Sequence, residues 1–172
     1  MEEHHTYPGY VHKVQYYETD QMGCVHHSNY IRWFEEARTD YLAFIGMDYK
    51  GMEDAGILSP VLTVQAEYRS MCRYGDSVDI QVKMTKYNGI RICLEYQILD
   101  KADGTLRCRG ESSHCFLNRD GKPVSLKKVH PEWDKKLRLE FKDPDASIEF
   151  FDPRGSRQMD MQACHLARCS RE

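Results

Sequence analysis

The stretch YYETDQMGCVHHSNYIRWFEEARTDYL, residues 16–42, decides how the rest of the chain is read. It opens at the end of a strand, since residues 10–17, YVHKVQYY, are rich in β-formers. A polar turn follows, with Asp20 first and Gly23 fourth, the places these residues prefer in a type I turn. Ser28 and Asn29 are both good N-caps, so a helix is expected over 30–45, with Gly46 as its stop. Its apolar residues run nearly all round, from Tyr30, Ile31, Trp33 and Phe34 to Tyr41, Leu42, Phe44 and Ile45. They leave only a narrow polar stripe of Arg32, Glu35, Glu36, Thr39 and Asp40. A surface helix has a narrower apolar face, so this one must be wrapped on most sides. A carboxylate at Asp20, a glycine turn and a histidine at the helix start, His27, form an arrangement suited to an active site.

Working outward, residues 48–55 read as a short second helix and 57–68 as a strand whose Pro60 marks an edge or a bend. Residues 77–87 alternate, with Val78, Ile80, Val82 and Met84 facing one way and Asp79, Gln81 and Lys83 the other. Asn88-Gly89 is a strong hairpin signal leading into a second alternating run, 90–99. Asp103-Gly104 turns into a strand over 106–117, which Asp120-Gly121 closes. Helix and strands are segregated along the chain, which makes the class α+β with an antiparallel meander. A curved antiparallel sheet around one long helix buries both apolar sets. Beyond that, 130–136 read as a short helix. The alternation of Leu137, Leu139 and Phe141 reads as a hairpin arm with 148–151, and from Asp152 the chain is polar and without period. The expected units are thus a domain at 8–130, an extension of helix and hairpin at 131–151, and a mobile polar tail at 152–172.

Composition narrows the function. A formal charge of -3 offers no global basic field, so nucleic acid is not an expected partner. No apolar run approaches the roughly 20 residues of a membrane span. The first residues, MEEHHTYPGY, hold no apolar signal core, and the expected location is the cytoplasm. Seven cysteines without a CxxC pair fit reduced thiols, not a disulfide framework. Cys164, His165 and Cys169 lack a second close ligand pair, and His4 and His5 stand alone, so no metal is expected. Cys24 has no assigned base and reads as a small packing residue.

The pattern Tyr17-x-x-Asp20-x-x-Gly23-x-Val25-x-His27-x-x-Tyr30, followed by Phe34-Glu-Glu-Ala-Arg38, resembles the signature of hotdog-fold acyl-CoA thioesterases. It is most similar to the 4-hydroxybenzoyl-CoA thioesterase family and its YbgC-like branch, over about residues 8–130. The resemblance implies a sheet wrapped around the long helix and a homodimer or homotetramer. It implies an acyl thioester bound at the dimer interface, and no cofactor beyond the coenzyme A of the substrate. Asp20 matches the family's essential carboxylate. His27 stands where branch members carry a histidine near the thioester, and its backbone N–H matches the oxyanion donor. Gly23, Val25 and Tyr30 fall among the substrate-binding positions. Where many relatives have Asp two residues before the essential one, this chain has Glu18.

The residues support that chemistry independently. Thioester hydrolysis puts negative charge on the carbonyl oxygen, and a helix N-terminus offers unpaired N–H groups and the positive end of the dipole. Asp20 can attack the thioester carbon or act as general base on water, and the sequence does not choose. His26, alternating away from His27, is read as structural, and Arg32–Glu36 as an i,i+4 pair. Arg69, Arg73, Lys86, Arg91, Arg107 and Arg109 are candidates for the coenzyme A phosphates. Three rivals remain. One is a thioesterase acting on acyl carrier protein. Another is a non-catalytic acyl-CoA-binding module, which would have no need of a reactive carboxylate. A hotdog hydratase would space its Asp and His differently.

Overall fold

The computed structural model describes residues 6–142. Strand β1 (Tyr10–Lys13) and one 3-10 turn (Tyr16–Glu18) lead into the long helix α1 (His27–Phe44) and the short α2 (Tyr49–Asp54). Strands β2 (Val61–Tyr68), β3 (Ser77–Tyr87), β4 (Arg91–Asp100) and β5 (Leu106–Cys115) follow, then helices α3 (Leu126–Val129) and α4 (Pro131–Lys142). The five strands form one antiparallel sheet in the order β1-β3-β4-β5-β2. β3, β4 and β5 are successive hairpins, whereas β2 crosses to the far edge beside β5. This is the expected α+β arrangement of one antiparallel sheet with its long helix packed on it.

The core lies between α1 and the sheet. Tyr30, Trp33, Phe34, Ala37, Tyr41 and Leu42 of α1 are buried with the alternating residues of β3 and β4, Val78, Ile80, Ile92, Leu94, Tyr96 and Ile98 among them. Each large apolar side chain so buried contributes roughly 1.5–3 kcal/mol. Among the described residues no helix is long and apolar enough to cross a membrane.

Several local expectations are corrected. β1 stops at Lys13 instead of running to Tyr17. The Glu18 carboxylate accepts the Gln15 N–H at 2.7 Å and curls the chain into the 3-10 turn, which leaves Tyr16 and Tyr17 exposed. α1 begins at His27, not at 30, because the N-cap is His26, whose Nδ1 accepts the Ser28 N–H at 3.3 Å. Glu36 does not pair with Arg32; it accepts from the Tyr10 hydroxyl at 3.1 Å and lies 3.4 Å from His12 Nδ1. Leu137, Leu139 and Phe141 belong to α4, not to a hairpin arm. Leu137 is buried, and Asp134 ties the helix down by accepting from the Tyr87 hydroxyl at 2.7 Å and from Arg138 Nε at 2.8 Å. The rest of the expected hairpin, the tail at 152–172, His4, His5, Cys164, His165 and Cys169 lie outside the described residues.

Candidate active site

Residues 19–25 close on themselves. Thr19 and Val25 pair in an isolated antiparallel bridge. The Asp20 N–H donates to the Cys24 carbonyl, and the Gly23 N–H to the Asp20 carbonyl, both at 2.9 Å. Gly23 has φ +69°, a left-handed conformation that a side chain would disfavour. The Asp20 carboxylate is half-buried. Its Oδ1 accepts the Met22 N–H at 2.8 Å, while Oδ2 takes no hydrogen bond among the described residues. The Cys24 thiol is buried, 3.9 Å from Asp20 Oδ1.

Glu18 fixes this loop to the fold. Its backbone carbonyl accepts the His26 N–H and Asn29 Nδ2, both at 2.8 Å. Its carboxylate, in a residue only 4% exposed, accepts from Trp33 Nε1 at 2.8 Å and from the Gln15 N–H, and lies 3.0 Å from His12 Nε2. Burial alone would raise the Glu18 carboxyl. The Gln15, His12 and Trp33 contacts outweigh it and hold the group below the usual carboxylate range. Glu18 is therefore a staple between the loop and α1, sealed from solvent.

His27 is exposed at the first position of α1. Its backbone N–H meets no acceptor among the described residues, as helix geometry leads one to expect. Its carbonyl accepts the Tyr68 hydroxyl at 3.0 Å, its ring meets Tyr68 edge-on at 6.4 Å, and the His26 ring lies 4.1 Å away. Behind it, Val25 and Tyr30 are buried. The Val25 N–H donates to the Cys72 carbonyl at 2.9 Å, and the Tyr30 hydroxyl accepts the Cys72 N–H at 3.2 Å. Burial pushes the Tyr30 hydroxyl well above its ordinary range, so it stays protonated. Asp20, Gly23 and His27 thus face outward on one braced segment with Val25 and Tyr30 behind them; no hydrogen bond joins Asp20 to His27.

One neighbour was missed by the sequence reading. Tyr68 sits on β2, 41 residues from the carbonyl it holds. It carries no local signal, because strand pairing brings it to the loop. Arg73, one of the candidates for the phosphates, donates from Nη1 to the Gly23 carbonyl at 3.3 Å. Of the arginines offered for phosphates, Arg107 is otherwise engaged. Its Nη2 and Nε hold Asp100 at 2.5 and 3.2 Å, and its Nη1 donates to the Met71 carbonyl at 2.9 Å. That Arg107 bond is the main reason the Asp100 carboxyl lies below the usual range. Arg69 pairs with Glu67 at 2.8 Å.

The family model of the thioesterase-like superfamily matches residues 14–140. YneP of Bacillus subtilis, provisionally named an acyl-CoA thioesterase, is 36% identical over 122 residues, 70% of this chain and 88% of its own. The acyl-CoA thioester hydrolase YbgC of Escherichia coli is 28% identical over 94 residues, 55% of this chain and 69% of its own. The crystal structure of a DHNA-CoA thioesterase from Staphylococcus aureus matches with a TM-score of 0.75 and 30% identity, covering 81% of this chain and 94% of that one. By that match and by its five-stranded antiparallel sheet with one long helix, the chain belongs to the thioesterase-like superfamily of the hotdog fold.

Proposed function

We propose that the protein is a cytoplasmic acyl-CoA thioesterase, which hydrolyses an acyl-CoA thioester to the free acid and coenzyme A. One observation carries the reading. A half-buried carboxylate with one uncommitted oxygen, at Asp20, stands on a braced loop just ahead of a helix start whose His27 N–H has no acceptor. The names of the relatives, acyl-CoA thioesterases and a DHNA-CoA thioesterase, support coenzyme A as the carrier.

The thioester carbonyl oxygen lies against the His27 N–H, where the helix dipole favours developing negative charge. Asp20 then acts by one of two routes. As nucleophile it forms an acyl-aspartyl anhydride, expels the thiolate and is regenerated by water. As general base it takes a proton from the water that attacks. In both, the leaving thiolate needs no proton relay as elaborate as a Ser-His-Asp triad. The His27 ring orients the water or the substrate. Gly23 lets the substrate approach the loop closely, and Val25 and Tyr30 form the wall behind the thioester. Arg73, exposed beside Gly23, is the best placed of the arginines for a coenzyme A phosphate. The chemistry asks for no metal or organic cofactor. The second half of the acyl site comes from another copy of the chain, joined along β2.

Asp20→Asn is expected to keep the fold and acyl-CoA binding but lower turnover by about 100-fold or more. Full turnover in that variant overturns the assignment. Rapid-quench trapping of the acyl-aspartyl anhydride separates the routes: a covalent acyl group on Asp20 means nucleophilic attack, and turnover with none formed means general-base attack by water. Side-by-side kinetics on the same acyl group carried by coenzyme A and by acyl carrier protein decides the carrier.

A further inference from the structure

Three turns along α1 from His27 lies a polar cluster that this chemistry does not use. Arg38 is 4% exposed, its guanidinium sits 5.7 Å from the centre of the Tyr49 ring, and its Nη1 hydrogen-bonds nothing among the described residues. Across from it β5 turns His114 inward, 1% exposed. His114 Nε2 is 2.7 Å from Ser112 Oγ, which is 2.8 Å from the Tyr96 hydroxyl. Burial and then the Arg38 charge push His114 down to about 4, so the ring is neutral at pH 7. The same charge is felt at Tyr96. Tyr96, Ser112 and His114 Nε2 thus form one buried chain of hydrogen bonds, and the His114 ring lies beside the Pro60 carbonyl. One buried and charged N–H donor, Arg38 Nη1, therefore lacks an acceptor among the described residues. Among the described residues no carboxylate pairs with Arg38, although a buried guanidinium is almost never left without a counter-charge.

We propose that Arg38, His114, Ser112 and Tyr96 form a buried anion site that takes a carboxylate. An acceptor-only planar group matches the free Arg38 donor, and the guanidinium fork engages it along one edge. The carboxylate has two sources: the far end of an acyl chain, or a small free anion. The first rests on the thioesterase reading and has geometry behind it. His27, Tyr30, Phe34 and Arg38 follow one stripe of α1, rising about 16 Å from first to last. β5 presents Cys108, Gly110, Ser112 and His114 inward. Gly110 lies under the Phe34 ring, which a Cβ there would strike. Phe34 thus divides the thioester end from the anion end, and a long acyl chain passes once that ring turns.

The test uses the full chain. Initial rates are compared for decanoyl-CoA and sebacoyl-CoA, which share a length and differ in a terminal methyl or carboxylate. Melting temperature is followed in acetate against chloride at equal ionic strength. An acyl source predicts that sebacoyl-CoA is favoured in kcat/KM by about 10-fold or more, and that Arg38→Met brings the ratio near one. A free-anion source predicts no such preference, but a rise in melting temperature with acetate of about 2 °C or more that Arg38→Met abolishes. If Arg38→Met does not fold, His114→Leu makes the same comparisons. Loss of neither the preference nor the acetate effect on substitution, or absence of both in the unaltered protein, overturns the anion site. Failure to hydrolyse either thioester overturns the thioesterase reading instead, and the acetate measurement still decides the site.

Discussion

Glu18 illustrates how one side chain sets up another. Its carboxylate and its carbonyl together hold Gln15, His26, Asn29 and Trp33, and so fix the angle at which the Asp20 loop meets α1. Glu18→Ala would leave the Gln15 and Trp33 N–H groups without acceptors, at a cost of about 2–4 kcal/mol read by urea unfolding. The acid limb of stability carries the same signature. The Glu18 carboxyl is held below its usual range against burial; that of Asp134 is lowered by Arg138 first, and that of Asp100 by Arg107. A carboxyl whose folded value lies below the unfolded one, about 4, stabilises the fold fully above that pH. The contribution is lost as pH falls through the folded value. Unfolding free energy is therefore expected to drop below about pH 4, and Glu18→Gln is expected to flatten that drop.

The ends of α1 show opposite kinds of legibility. Its stop is written locally. Gly46 at φ +76° allows the Met47 N–H to reach the Leu42 carbonyl and the Gly46 N–H the Ala43 carbonyl, the bond pair of a glycine-terminated helix. Its start was missed because histidine is not among the preferred caps, and Ser28 and Asn29 are better ones in isolation. The outcome was decided by Glu18, which holds both the His26 N–H and the Asn29 side chain. α4 depends on a similar long-range tie, from Tyr87 of β3 to Asp134. Tyr87→Phe is expected to cost about 1–2 kcal/mol. Hydrogen exchange should show α4 amides opening ahead of the central strands; equal protection in both proteins would refute that dependence.

The whole molecule presents one conspicuous open border. β2 pairs with β5 on one side only, and Val61, Leu62 and Val64 are 49%, 45% and 42% exposed. A largely apolar edge strand without a lysine, its register against β5 shifted only between Val61 and Thr63, invites a second chain. The proposed dimer joins there, beside Tyr68, whose hydroxyl holds the His27 carbonyl. Val64→Lys should therefore yield a folded monomer in sedimentation and lower thioester hydrolysis with it. A fully active monomer would remove the second copy from the site.

The residues in order were enough for the α+β class, the long wrapped helix, the hairpins at Asn88-Gly89 and Asp103-Gly104, and the segment from Asp20 to Tyr30 as the place to look. Each of these rests on period, turn chemistry or a motif within a short span of chain. The partners were not readable there. That Glu18 is sealed inside, that Arg107 braces Asp100, that Tyr68 meets His27 and that Arg38 and His114 are both buried all depend on β2 crossing to β5 and on which face of each strand meets α1. Local pattern says which residues leave water. Only long-range strand pairing says which of them meet, and a polar group's role is set by whom it meets.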